Sequence, residues 1–345
     1  MKSLDETRTI VRQALDELDR VVVGKRDAIE LVLLTVLAGG HVLLEDVPGT
    51  GKTLMARAVA RVLGLDFARV QFTPDLLPSD LTGAPALDPA TRELAFRPGP
   101  VFTNVLLADE LNRTPPKTQA ALLEAMGEYQ VSSDGVTRRL PEPFVVLATD
   151  NPIEYEGTFP LPEAQLDRFT ARLRIGYLSA NDESAMVRRS LDHNTDPAIL
   201  RPIADPAKVV EMVRSMDGVE VHDDVTDYVV ALVNATRTHP SAEVGASPRG
   251  SLALTRLARG AALVDGRHYV TPDDVKRVAV AALGHRITVK AELWVRNITG
   301  DAIVEDVLGS VPTPTVRPSR PMRSAPAAST AGPSGPPPDQ SQWAR

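Results

Sequence analysis

The 345-residue chain contains no cysteine, so disulfides and thiolate metal sites are excluded and cysteine usage says nothing about redox compartment. Its six histidines, His41, His193, His222, His239, His268 and His285, are scattered without the paired spacing of a zinc site, which leaves them packing or surface roles. No apolar run is long enough to span a bilayer, the longest being Leu31 to Gly40. The opening Met1 to Glu6 lacks the apolar core of a signal peptide and carries acids that a transit peptide avoids, so a cytoplasmic location is expected. Positive charge is not in excess either. Lys and Arg total 38 against 45 Asp and Glu, a net charge of -7, which disfavours nonspecific binding to nucleic acid, although a local basic surface would escape that argument.

What is present is enough apolar material for a real core, at 43% hydrophobic residues, and a length that suits two domains. Residues 3–20 and 25–38 show helical spacing. Short apolar runs at 42–44, 68–72, 105–108, 144–148 and 172–175 alternate with segments long enough for helices, the pattern of a parallel sheet covered on both faces. Residues 77–104, rich in Pro and Gly, read as a helix broken by a hairpin. Residues 129–140 read as a second hairpin turning at Asp134-Gly135. Beyond residue 178 the texture is helical, at 182–191, 206–216, 223–237, 252–264 and 272–283, with Thr271 as an N-cap and Pro272 in the first turn. From Pro312 on, nine prolines in 34 residues predict a disordered tail. The division is a nucleotide-binding core over 1–178, a helical lid over 179–311 and a tail over 312–345.

Chemistry concentrates first at Asp46-Val47-Pro48-Gly49-Thr50-Gly51-Lys52-Thr53-Leu54, between an apolar strand and a helix. Backbone N–H groups and the helix dipole converge there on an anion, and Gly49 and Gly51 let the chain wrap phosphate oxygens closely. Lys52 would reach the β and γ phosphates of ATP and Thr53 the Mg2+ that bridges them. The usual pattern G-x-x-x-x-G-K-[ST] asks for glycine where this chain has Asp46, a position to inspect for positive φ.

Hydrolysis needs more than a cradle. The run Val105 to Ala108 ends in Asp109 and Glu110, placing one carboxylate to hold the metal, directly or through water, and a second to orient and deprotonate the attacking water. The next run delivers Asn151, whose amide would position water or sense the γ phosphate. Arg168 would stabilise transition-state charge in a neighbouring subunit, and Arg249, opening a later helix, would reach back to the phosphates.

With these residues in place, the chain resembles the MoxR family of AAA+ ATPases from about residue 3 to residue 312. The resemblance is carried by Val22-Val23-Gly24, by 48–53, by Ala108-Asp109-Glu110-Leu111-Asn112-Arg113 with 116–126, by Ala148 to Pro152, by Leu161 to Phe169 and by Ser247-Pro248-Arg249. It implies an α/β AAA+ P-loop core with hairpin inserts and a smaller all-α lid. It implies Asp109 and Glu110 as the Walker B pair, Asn151 as sensor 1, Arg168 as arginine finger, Arg249 as sensor 2, and Val23 and Gly24 near the adenine. It also implies a ring homo-oligomer, a hexamer, that couples hydrolysis to remodelling of partner proteins, among them proteins with von Willebrand factor A domains. The motor subunit of a metal chelatase, or a nucleotide-gated binding module with little turnover, are the alternative readings. Asp46, Asp150 where glutamine is commoner, and the proline-rich tail are the departures.

Overall fold

The computed structural model describes residues 2–47, 49–87, 92–133, 135–150, 157–191 and 196–315. The chain opens with α1 (Lys2–Leu18) and α2 (Arg26–Leu37) and enters the sheet as β1 (Val42–Glu45). α3 (Lys52–Val62) and β2 (Phe67–Gln71) complete a first crossover. The expected broken helix follows as α4 (Pro78–Thr82) and the hairpin of β3 (Gly83–Leu87) with β4 (Leu94–Pro98). Next come β5 (Val105–Asp109), α5 (Pro116–Glu128), and the second hairpin, β6 (Gln130–Ser133) with β7 (Val136–Arg139). The core ends with β8 (Val145–Asp150), α6 (Glu163–Leu166) and β9 (Ala171–Leu173).

Five strands form a parallel sheet in the order β2-β5-β8-β1-β9. Alternation along each strand explains its two-sided burial. Val42, Leu44, Val105, Leu107, Val145 and Leu147 join the apolar cluster on one face, and Leu43, Leu106, Ala108, Val146 and Ala148 join the other. The central neighbours β5, β8 and β1 therefore end side by side at one carboxyl edge, where ligands of such sheets bind. The two hairpins also meet each other, with the Arg138 guanidinium 3.7 Å from the centre of the Phe96 ring.

The remaining helices are α7 (Ala180–Leu191), α8 (Pro206–Ser215), α9 (Asp223–Thr238), α10 (Pro248–Val264), α11 (Pro272–Leu283) and α12 (Gly300–Ser310). Thr271 and Asp274 form a reciprocal capping box at the start of α11, as the sequence suggests. Two elements were not anticipated. One is α12, capped by the Thr299 hydroxyl, and the other a short antiparallel ladder of β10 (Ala242–Val244) with β11 (Thr288–Val289), so these helices are not accompanied by loops alone. Gly260 brings α10 against α2: a Cβ there would lie 2.9 Å from Leu34 Cδ2. The apolar cluster consequently runs without a break from α1, α2 and α3 into α9, α10 and α11. The tail beyond residue 315 lies outside the described residues.

His41, just before β1, ties three elements together. Its Nδ1 accepts the Val146 N–H at 3.0 Å, so Nε2 carries the proton that it shares with the Met126 carbonyl at 3.1 Å. Burial pushes its pKa down to about 4, and burial beside Arg286 pushes His285 well below its usual value. Below about pH 6.5 the unfolded chain binds protons at these rings that the folded chain refuses. Stability should therefore fall as pH drops from about 6.5 towards about 4, which denaturant unfolding at about pH 7 and about pH 5 would read as a lower midpoint at the acid end.

Candidate active site

The phosphate loop leaves β1 at Asp46 and enters α3 at Lys52. Gly49 and Gly51 have φ of 85° and 89°, and Gly51 is the left-handed N-cap of α3. A Cβ would meet nothing within 4 Å at either position, so glycine is required there by backbone conformation. Lys52 Nζ donates to the Asp46 carbonyl at 2.7 Å. Partial burial lowers the pKa of this ammonium, against the pull of Asp46, Asp109, Glu110 and Asp150 around it. Thr53 stands half-buried in the first turn of α3. Pro48 and Asn151, both expected in the site, lie outside the described residues.

Asp46 does not have the positive φ considered for it; among the described non-glycine residues that conformation falls to Arg92, Glu110, Tyr129 and Asn297. Glu110, at φ 57° and ψ 50°, is the strained member of the site. Thr149 holds it there. Its buried hydroxyl accepts the Glu110 N–H at 2.8 Å and donates to Asp109 Oδ1 at 2.7 Å. The Glu110 carboxylate in turn accepts from Gln71 Nε2 at 2.6 Å and pairs with Arg113 at 3.1 Å. The Arg69 guanidinium sits on Asp109 Oδ2 at 2.6 Å, a cation where the metal is expected. Thr149, Gln71, Arg69 and Arg113 were given no role from sequence. Thr149 and Gln71 stand at or next to the ends of β8 and β2, Arg69 lies within β2 and Arg113 follows in a short 3-10 turn, so only their nearness to Asp109 and Glu110 in the fold marks them.

Among the described residues no group of three or more His, Cys, Asp or Glu is arranged to hold a metal. Asp109 and Thr53 nevertheless offer the hard oxygen donors that suit magnesium, in a number that leaves positions for phosphate oxygens and water.

Two cavities separate the remaining residues. One, of about 180 Å3, is lined by Gly49, Thr50, Gly51 and Leu54 on the phosphate side and elsewhere by Val21, Val22, Val23, Gly176, Tyr177, Leu178 and Met186, with Lys25 and Glu183 as its charged members. Val23 thus lines the same cavity as Gly49 to Gly51. Gly24 is adjacent in sequence, with φ 67° and no room for a Cβ beside Asp182. A second, of about 400 Å3, is lined by Arg168, Arg249, Arg256, Arg286, Asp167 and Tyr129, among others.

Arg249 therefore does not line the phosphate cavity as expected. Ser247, the N-cap of α10, donates to Asp167 at 2.9 Å, and this anchors the start of α10 beside Arg168. Arg249 lies 3.7 Å from Asp167, which also accepts from the buried Arg286 at 2.9 Å. Arg168 itself donates to the Leu123 carbonyl within α5. Both guanidinium groups line one cavity, and Lys52, Asp109 and Glu110 are not among its lining residues.

Comparison with known proteins bears out the fold. The ATPase family associated with various cellular activities (AAA) matches residues 41–171, and the AAA lid domain matches residues 234–307. YeaC of Bacillus subtilis is 48% identical across 91% of this chain and 98% of its own length. Chaperone MoxR1 of Mycobacterium tuberculosis is 41% identical across 90% of this chain and 84% of its own. A crystal structure from Cytophaga hutchinsonii, assigned as an ATPase, superposes with a TM-score of 0.86 at 39% identity, covering 91% of this chain and 98% of that one. With a P-loop after β1, a paired Asp and Glu at the end of β5 and relatives of this closeness, the chain belongs to the MoxR family of AAA+ ATPases and is an ATP-hydrolysing P-loop enzyme.

Proposed function

We propose that this ATPase works as a ring of identical chains, a hexamer, in which each site is completed by the neighbour's Arg168 and Arg249, and that it uses the cycle to remodel or mature partner proteins in the cytoplasm. The observation that carries the reading is the shared cavity of Arg168 and Arg249, which does not include the phosphate loop of its own chain. Guanidinium groups stabilise the charge that develops on a transferring phosphoryl group, and a subunit that keeps them apart from its own phosphates has them available for another's.

Within one chain, Lys52 and the α3 N-terminus bind the phosphates, Asn151 senses the γ phosphate, and Glu110, fixed by Thr149 and Gln71, takes a proton from the attacking water. Thr53 and Asp109 would hold Mg2+, directly or through water, and the ion would neutralise phosphate charge beside the Arg69 guanidinium that pairs with Asp109. The hairpins support the partner-directed half of the reading. The cross-strand pair Leu87 and Leu94 near the tip of the first is 62% and 75% exposed, apolar surface that a lone chain leaves in water. Partners with von Willebrand factor A domains are the class that the family resemblance suggests.

Dilution tests the shared site. Specific ATPase activity should rise with protein concentration in step with an oligomer seen by light scattering. Constant specific activity down to concentrations where only monomer remains would overturn it.

A further inference from the structure

Asp46 stands where the phosphate-loop pattern asks for glycine, and its side chain is built into the fold, with the residue only 8% exposed. One carboxylate oxygen accepts the Val47 N–H at 2.8 Å and the other the Gly176 N–H at 2.6 Å, 130 residues downstream. The main chain of Asp46 is engaged as well: its carbonyl accepts from Lys52 Nζ at 2.7 Å and its N–H donates to the Asp150 carbonyl at 3.2 Å. One residue thus touches the phosphate lysine, the end of β8 and the segment that follows β9.

That segment forms the opposite wall of the nucleotide cavity. Gly176, Tyr177 and Leu178 line it across from Gly49 to Gly51, and Tyr177 is 80% exposed. Its second attachment is Lys25, whose Nζ donates to the carbonyls of Ile175 at 2.7 Å and Tyr177 at 2.9 Å. A glycine at 46 would make neither carboxylate bond, leaving the Lys25 bonds and, two residues upstream, the pair of Arg174 with Glu45 to hold the wall.

We propose that Asp46 is a positioning residue that sets the gap between the phosphate loop and the wall at Gly176 to Leu178, so that phosphates and base are bound together. This rests on the reading that the base lies against that wall. The full chain and its Asp46→Gly and Asp46→Asn variants would be titrated calorimetrically with ATP and with inorganic tripolyphosphate, each with magnesium. Asp46→Gly should weaken ATP about tenfold, the scale of one hydrogen bond to a charged group, and leave tripolyphosphate within about twofold. Asp46→Asn keeps one acceptor and should fall between; being isosteric, it carries the test if the glycine variant does not fold. Equal losses on both ligands, no loss on either, or a wild type that does not prefer ATP to tripolyphosphate would each overturn the proposal. Failure of the wild type to bind either ligand would instead overturn the nucleotide site itself.

Discussion

Glu110→Gln should lower the steady-state rate of phosphate release by about 10²- to 10⁴-fold while ATP binding persists, the scale of a lost general base. The substitution is close to isosteric, and the amide oxygen still accepts from Gln71, which reaches the carboxylate at 2.6 Å. The backbone clamp is untouched, since Thr149 holds the main-chain N–H of residue 110 and not its side chain. What disappears is the basicity, together with the ion pair to Arg113. Two assays read the result: phosphate release under saturating ATP, and equilibrium binding of ATP with release blocked. Turnover near wild type would remove Glu110 from the chemistry. Parallel loss of binding would make it a structural residue.

Arg168→Ala should cost turnover on a similar scale, about 10³-fold or more, the range measured for arginines supplied to phosphoryl transfer. Affinity for ATP should change little, because Arg168 is absent from the cavity at the phosphate loop. The informative measurement is a mixture. In a shared site, an Arg168→Ala subunit still offers Glu110 to a neighbour, and a Glu110→Gln subunit still offers Arg168. Random co-assembly then regenerates roughly a quarter of the interfaces, and two nearly inactive preparations recover activity when combined. If each site were complete within one chain, mixing would restore nothing. An Arg168→Ala oligomer that hydrolyses ATP at the wild-type rate would end the shared-site reading outright.

The parts of this site that could be read from sequence are those whose chemistry is local. Gly49, Gly51, Lys52 and Thr53 announce a phosphate cradle because conformational freedom, charge and hydroxyl fall within five consecutive residues. Asp109 and Glu110 are visible because four apolar residues before them form a strand and fix which edge they reach. The five sheet strands and both hairpins were legible for the same reason, since apolar runs and turn residues report their own neighbourhood.

What escaped depends on distant partners. The Thr149 hydroxyl bridging Asp109 and Glu110 follows from the pairing of β5 with β8, and no periodicity states that pairing. The place of Arg249 is decided by the bond from Ser247 to Asp167, 80 residues earlier. Asp46 stood out in sequence only as a departure from the phosphate-loop pattern, because one of the N–H groups its carboxylate holds belongs to the distant Gly176. Helix α12 went unseen because its apolar residues are partly β-branched, and its cap at Thr299 becomes recognisable once the helix is known.

The contact of Gly260 with Leu34 bears on how far α10 can move from α2. Swinging α10 away from α2 would open a continuous apolar seam to water, at about 25 cal/mol for every Å2 uncovered. No hinge of that kind is inexpensive here. Within one chain the seam therefore couples the core to the helical region, and any displacement of one from the other carries that cost.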